Sequence, residues 1–197
     1  MNDQDILNIP SILPQIESLA KEIGFTMSCD LLTGSLLKSL AANKQGPNIL
    51  ELGTGLGFSL CWLLDGMDKN AKLISIDNNN VLIEHLKNVL PKNNRANIIC
   101  ADAAVWLNEN SQSKFDLIFA DAWPGKYSQL EEVLEMLNPG GLYIIDDMLE
   151  RATWPEEHKA RALNLITRLE ERDDLFVTKL NWSTGIIICT KVVNNNT

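Results

Sequence analysis

Short apolar runs rich in β-branched residues alternate along this chain with longer stretches of helical period. The runs at 48–52, 72–76, 97–100, 116–120 and 142–145 are nearly unbroken in hydrophobic character, as in strands covered on both faces of a parallel sheet. Two later strands are predicted at 175–179 and 185–191. Helices are predicted between the runs at 58–64, 81–90, 103–107, 127–137 and 156–172, with two more, 11–23 and 31–42, ahead of the first strand. Pro91 ends the helix at 81–90, and the turn Asn138-Pro139-Gly140-Gly141 ends the one at 127–137. In the helix at 156–172, Ala162, Leu165, Ile166 and Leu169 form one apolar face with charges opposite.

Repeated strand–helix–strand units call for right-handed crossovers and one α/β sheet, doubly wound and mostly parallel, with helices on both faces. The last two strands are joined through Asn181-Trp182-Ser183-Thr184-Gly185, short enough for a hairpin, so one of them runs antiparallel to the rest. The chain of 197 residues suits one domain. Within it, 1–46 form the helical lead, 47–193 the sheet-bearing core, and 194–197 a polar tail expected to fray.

Composition narrows the partners. A formal charge of −9 disfavours nucleic acid and anionic membrane surfaces, which need clustered Lys and Arg. No apolar run approaches the roughly 20 residues of a membrane helix, and the first residues lack the pattern of a secretory signal. A cytoplasmic protein is expected, and a homodimer is left open. Cys29, Cys61, Cys100 and Cys189 are far apart in apolar settings, without a CxxC pair, and are expected to be buried free thiols.

The sharpest chemical signal is Glu51-Leu52-Gly53-Thr54-Gly55-Leu56-Gly57-Phe58-Ser59, a strand running into three alternating glycines and then a helix. Glycine serves where the backbone turns tightly and a ligand must approach without a Cβ in the way. A dinucleotide loop needs GxGxxG, but Phe58 holds the place of its third glycine, and the Lys-Ser/Thr of a P-loop is missing. Asp77 ends the next strand about 20 residues on, where a carboxylate can bond ribose hydroxyls. Asp102 with Ala103 follows the third strand. Each feature alone has a plain structural alternative, a tight turn or a helix cap. In this order they describe a slot for adenosine.

The segments ELGTGLG, LISID, ADA, FDLIFAD and LNPGGLYIIDDM resemble the successive motifs of class I S-adenosylmethionine-dependent methyltransferases, from Ile49 to Met148. The nearest resemblance is to the cation-dependent O-methyltransferases of the catechol and caffeoyl-CoA type. It implies a Rossmann-like sheet of seven strands with the last antiparallel, S-adenosyl-L-methionine as cofactor, and N-terminal helices over the cofactor and acceptor site. Carried over, Glu51, Gly53, Gly55, Ser59, Asp77, Asp102, Ala103 and Asp121 line the cofactor slot, with Met27 near the methyl donor.

In that family a divalent cation is held by an aspartate after the fourth strand and an Asp-Asn pair after the fifth. Asp121 and Asp146-Asp147 take those places here, an oxygen-rich set suited to Mg²⁺. The pair departs from the family in having Asp147 for Asn, and the family's catalytic lysine falls on Pro124. Lys126, two residues on, is the substitute, giving Asp121 and Lys126 as the catalytic candidates. The alternative is that the three acids are strand-end carboxylates and caps. Trp123, Met148, Trp154 and Trp182 fall in loops expected around the acceptor, where a rim of tryptophans suits a flat aromatic molecule and ordinary packing is the alternative. His85 and His158 are expected on the surface. O-methylation of a small acceptor leads. A metal-independent N- or protein methyltransferase, a nicotinamide-dependent oxidoreductase and a non-catalytic cofactor-binding protein remain beside it.

Overall fold

In the computed structural model, which describes residues 2, 4–150 and 154–192, the apolar runs assemble into one seven-stranded sheet. The strands are β1 (Asn48–Leu52), β2 (Lys72–Asp77), β3 (Ala96–Cys100), β4 (Phe115–Ala120), β5 (Leu137–Ile145), β6 (Leu175–Leu180) and β7 (Ile186–Lys191), in the order β3-β2-β1-β4-β5-β7-β6. The first five pair in parallel, and β7 runs antiparallel to both β5 and β6. The helices among the described residues are α1 (Leu13–Ile23), α2 (Leu31–Ala41), α3 (Phe58–Gly66), α4 (Asn80–Val89), α5 (Ala103–Glu109), α6 (Leu130–Met136) and α7 (Glu156–Glu170). The tail 194–197, expected to fray, lies outside the described residues.

Alternation along β1 explains the two layers of helices. Leu50 and Leu52 pack with Trp106, Val133 and Leu165 of α5, α6 and α7. Ile49 turns the other way, onto Leu37, Leu60 and Leu86 of α2, α3 and α4. A third cluster sets Leu13 and Ile16 of α1 against Leu56 and Trp62, so α1 lies outside α3. Among the described residues, no helix is long and apolar enough to cross a membrane.

Three expectations shift. The strand at 97–100 was predicted to be covered on both faces, but β3 is the sheet edge, its side chains are only partly buried, and Cys100 is exposed. Cys29 is half-buried, so only Cys61 and Cys189 match the expected buried thiols; all four are free. The helix predicted at 127–137 begins only at Leu130, because Gln129 adopts a left-handed φ of 52°. Leu137 already belongs to β5, and Asn138-Pro139-Gly140-Gly141 loops out as an irregularity within that strand, between the pairs Phe115–Leu137 and Leu117–Leu142.

Candidate functional site

The sheet order reverses between β1 and β4, and ligands in such sheets bind at the carboxyl ends of the strands where that happens. There the glycine loop leaves β1 with Gly53, Gly55 and Gly57 all at positive φ. Gly53 is fixed by contact as well as conformation: a Cβ on it would lie 2.7 Å from the Asp121 carbonyl oxygen at the end of β4. The loop is tied sideways to β2. Gly53 N–H donates to the Ile76 carbonyl (2.9 Å), and Gly55 N–H donates to Asp77 Oδ2 (2.7 Å). A cleft of about 250 Å³ opens over the loop. Its walls come from Met27, Ser28 and Cys29 before α2, the loop itself with Ser59, Asp77 and the residues after it, and Asp121.

Under the loop lies a buried polar chain. Glu51 is completely buried, and Ser75 Oγ donates to its Oε2. Ser75 Oγ also bonds Thr54 Oγ1 (2.6 Å), linking the carboxyl to the loop backbone. Glu51 Oε1 has no hydrogen-bond partner, and burial pushes the carboxyl up to about 7 against the pull of the Ser59 and Ser75 hydroxyls. Across the cleft, burial, with Asp146 adding to it, also pushes Asp121 up to about 7, while Lys126 pulls it back. Burial and the surrounding carboxylates push the Cys29 thiol well up, so it stays protonated.

The three acids expected to hold a metal lie near a buried lysine, Lys126, whose ammonium burial disfavours. Lys126 is 5% exposed, and its Nζ donates to the Asp146 backbone carbonyl (2.7 Å) in the field of Asp121, Asp146 and Asp147. Asp146 Oδ1 accepts from the Asp147 N–H (2.6 Å) and from the Thr184 hydroxyl. Asp147 sits at a left-handed φ of 61°. Among the described residues, no three His, Cys, Asp or Glu side chains form a group able to hold a metal ion. These residues as placed therefore do not fit a divalent cation, since no three of them converge and Asp146 is already engaged by protein donors.

Of the predicted cofactor residues, Met27, Gly53, Gly55, Ser59, Asp77 and Asp121 meet at the cleft, and Glu51 supports it from below. Asp102 and Ala103 lie outside its lining, where Asp102 caps α5 by accepting from the N–H groups of Ala104 (2.8 Å) and Val105 (3.1 Å). The aromatic rim divides. Met148 is core, and Trp182 Nε1 donates to the Leu32 carbonyl (3.0 Å), tying the β6–β7 turn to α2. Trp123 and Trp154 gather around His158, which stacks on Trp154 at 4.1 Å and bonds Tyr127 Oη through Nε2 (3.1 Å). His158 is thus half-buried in an aromatic cluster, not on the open surface. Phe25, Ser28 and Cys29 were missed as cleft residues, although they flank Met27 in the segment between two predicted helices.

A family model described as a methyltransferase domain matches residues 50–148. A catechol O-methyltransferase of Niastella koreensis is 28% identical over 171 residues, covering 78% of this chain and 76% of that protein. A protein of Mycobacterium marinum is 31% identical over 57% of this chain and 52% of its own length, so the chain spans about half of that relative. Among solved structures, an O-methyltransferase from Bacillus cereus in complex with SAH superposes with a TM-score of 0.82 at 19% identity, covering 96% of this chain and 94% of that one.

Proposed function

The chain belongs to the methyltransferase-domain family and is an S-adenosylmethionine-dependent methyltransferase, and from that premise we propose that it methylates a hydroxyl oxygen of a small, flat acceptor. The observation that carries this is the meeting of the glycine loop, Asp77 and Asp121 around one cleft at the reversal of the sheet. The residues fit the cofactor. Glycines at positive φ leave room that side chains would fill, Asp77 offers carboxylate oxygens to ribose hydroxyls, and Glu51 lies buried beneath the loop.

When bound, S-adenosylmethionine supplies an electrophilic methyl: the acceptor oxygen–carbon bond forms as the carbon–sulfur bond breaks, leaving S-adenosylhomocysteine. The protein's part is to hold the acceptor in line and take its proton. Asp121 suits the second task, because it opens on the cleft and its carboxyl titrates near neutral pH, where a carboxylate is basic enough to accept a hydroxyl proton. Trp123, half-exposed in the loop that follows Asp121 with the Arg161 guanidinium over its ring, offers aromatic surface to an acceptor.

The test is transfer of labelled methyl from S-adenosylmethionine to a panel of small aromatic hydroxyl compounds, catechols among them. Turnover on at least one is expected, and Asp121→Asn should lower kcat by roughly 10²–10⁴-fold, the usual worth of a positioned base. Transfer only to amines or to protein side chains would contradict O-methylation. Unchanged kcat in Asp121→Asn would remove Asp121 as the base.

A further inference from the structure

Helix α7 carries its buried stripe at Ala162, Leu165 and Leu169, and one turn back along that stripe stands His158. There the stripe meets the loop that leaves β4. The His158 ring lies flat on Trp154, just ahead of the helix, at 4.1 Å and 11°. It meets Tyr127 edge-on at 5.6 Å, and its Nε2 and the Tyr127 hydroxyl share a hydrogen bond of 3.1 Å. Trp123 stands against both, 5.5 Å from Tyr127 and 6.1 Å from His158. Arg161, about one turn further along α7, covers the Trp123 ring at 4.9 Å. Edge-on and stacked geometries are the favoured ones for aromatic pairs, so these rings clasp the loop after β4 to the start of α7. The clasp is not closed core, because Trp123 is still 53% exposed.

We propose that His158 is a positioning residue for the acceptor: through Tyr127 it sets Trp123 as the wall against which an aromatic acceptor rests. The loop's own turn is closed on itself, by the Gly125 N–H on the Ser128 carbonyl (2.7 Å) and the Tyr127 N–H on the Trp123 carbonyl (2.9 Å). Towards β5 it is held by Lys126 on the Asp146 carbonyl and by the Tyr143 hydroxyl on the Gly125 carbonyl. Those bonds fix the backbone, whereas the bond between Tyr127 and His158 holds the rings. Asp121 does not depend on the clasp. Its N–H donates to the Leu52 carbonyl (2.9 Å) and its own carbonyl lies against Gly53, so the strand end fixes it. Nor does any of these rings line the cleft over the glycine loop. The clasp therefore governs how tightly the acceptor is held, and leaves the cofactor and the base in place. The inference rests on the reading of a flat hydroxyl acceptor and adds the first turn of α7 to that site.

Steady-state kinetics with catechol and labelled S-adenosylmethionine test it, beside calorimetric titration of S-adenosylhomocysteine. Tyr127→Phe removes one oxygen, and His158→Leu keeps an apolar side chain without the ring nitrogen. Each is expected to raise KM for catechol roughly 3–10-fold, the worth of one hydrogen bond, with kcat and the affinity for S-adenosylhomocysteine unchanged. The double variant should be no worse than His158→Leu alone, because both changes break the same bond. His158→Gln, whose amide can replace Nε2 as the partner of the hydroxyl, should recover most of the lost KM. A folded Tyr127→Phe with the wild-type KM would overturn the proposal. So would a loss of S-adenosylhomocysteine affinity equal to the rise in KM, the mark of a generally loosened fold. Should His158→Leu fail to fold, Tyr127→Phe decides alone. A wild type that methylates catechol, with Tyr127→Phe its equal, loses only this inference. One that binds S-adenosylhomocysteine but neither methylates nor binds catechol loses the acceptor reading, and the inference with it.

Discussion

Glu51 is a carboxyl that the free protein would be more stable without. It is completely buried, one oxygen lacks a partner, and its pKa rises from 4.5 to about 7. A folded pKa above the unfolded one means that the native state holds more protons between those two values. Stability therefore falls as pH rises from about 4.5 to about 7, and the loss is complete above that window. At about 1.4 kcal/mol per unit, the penalty is of order 3 kcal/mol at neutral pH. Glu51→Gln is expected to be more stable than the wild type at pH 8, with the advantage shrinking towards pH 5. Thermal melts of the two proteins across that range check this, and a constant difference would show that Glu51 is not the titrating group. The acid was legible before the glycines as a site residue because ELGTGLG places it there. Its burial was not, since the Ser75 hydroxyl that bonds it comes from β2. Asp102 shows the reverse: an acid at the right strand end can serve as a helix cap outside the cleft, and one residue type in one pattern does not separate these uses.

At the scale of elements, the hydrophobic pattern found every strand and helix, and its failures lie where tertiary position decides. An apolar run reads the same at the sheet edge as at its centre, so its pattern does not reveal that β3 is an edge strand. A strong turn signal stopped a helix correctly but concealed that β5 passes through the turn as a bulge. The contact of α2 with α3 was likewise invisible. Gly34 sits where a Cβ would meet the Trp62 ring atoms at 2.3–2.6 Å, and Trp62 is fully buried and cannot swing away. On helix propensity alone, Gly34→Ala should gain up to about 1 kcal/mol. Overpacking opposes it with roughly 1–3 kcal/mol and should win. With the gain offset, a net loss of roughly 1–2 kcal/mol and a fall in Tm of about 2–8 °C are expected for a domain of this size; a rise would mean that α2 can slide off the tryptophan.

Over the whole molecule, the alternation of strands and helices implied the doubly wound sheet, and the closing hairpin implied its one antiparallel strand, as observed. The glycine loop and Asp77 lie on adjacent strands and could be placed together from order alone. Met27, from before α2, was placed at the cleft only through the family resemblance, and Cys29 beside it was not; Lys126 was singled out, but its burial against the Asp146 backbone was not legible. The charge of −9 describes the whole chain but not this site, where burial and neighbouring carboxyls decide how the acids titrate.

The central claim is that adenosine binds over the glycine loop, held by the carboxylate at the end of β2. Titration calorimetry of S-adenosylhomocysteine against the wild type and Asp77→Ala measures this directly. One site per chain is expected in the wild type, with affinity roughly 10–100-fold weaker in the variant, the worth of hydrogen bonds to a charged group at about 1.5–3 kcal/mol. A wild type that takes up no S-adenosylhomocysteine, or a folded Asp77→Ala that binds it as tightly, would contradict the claim.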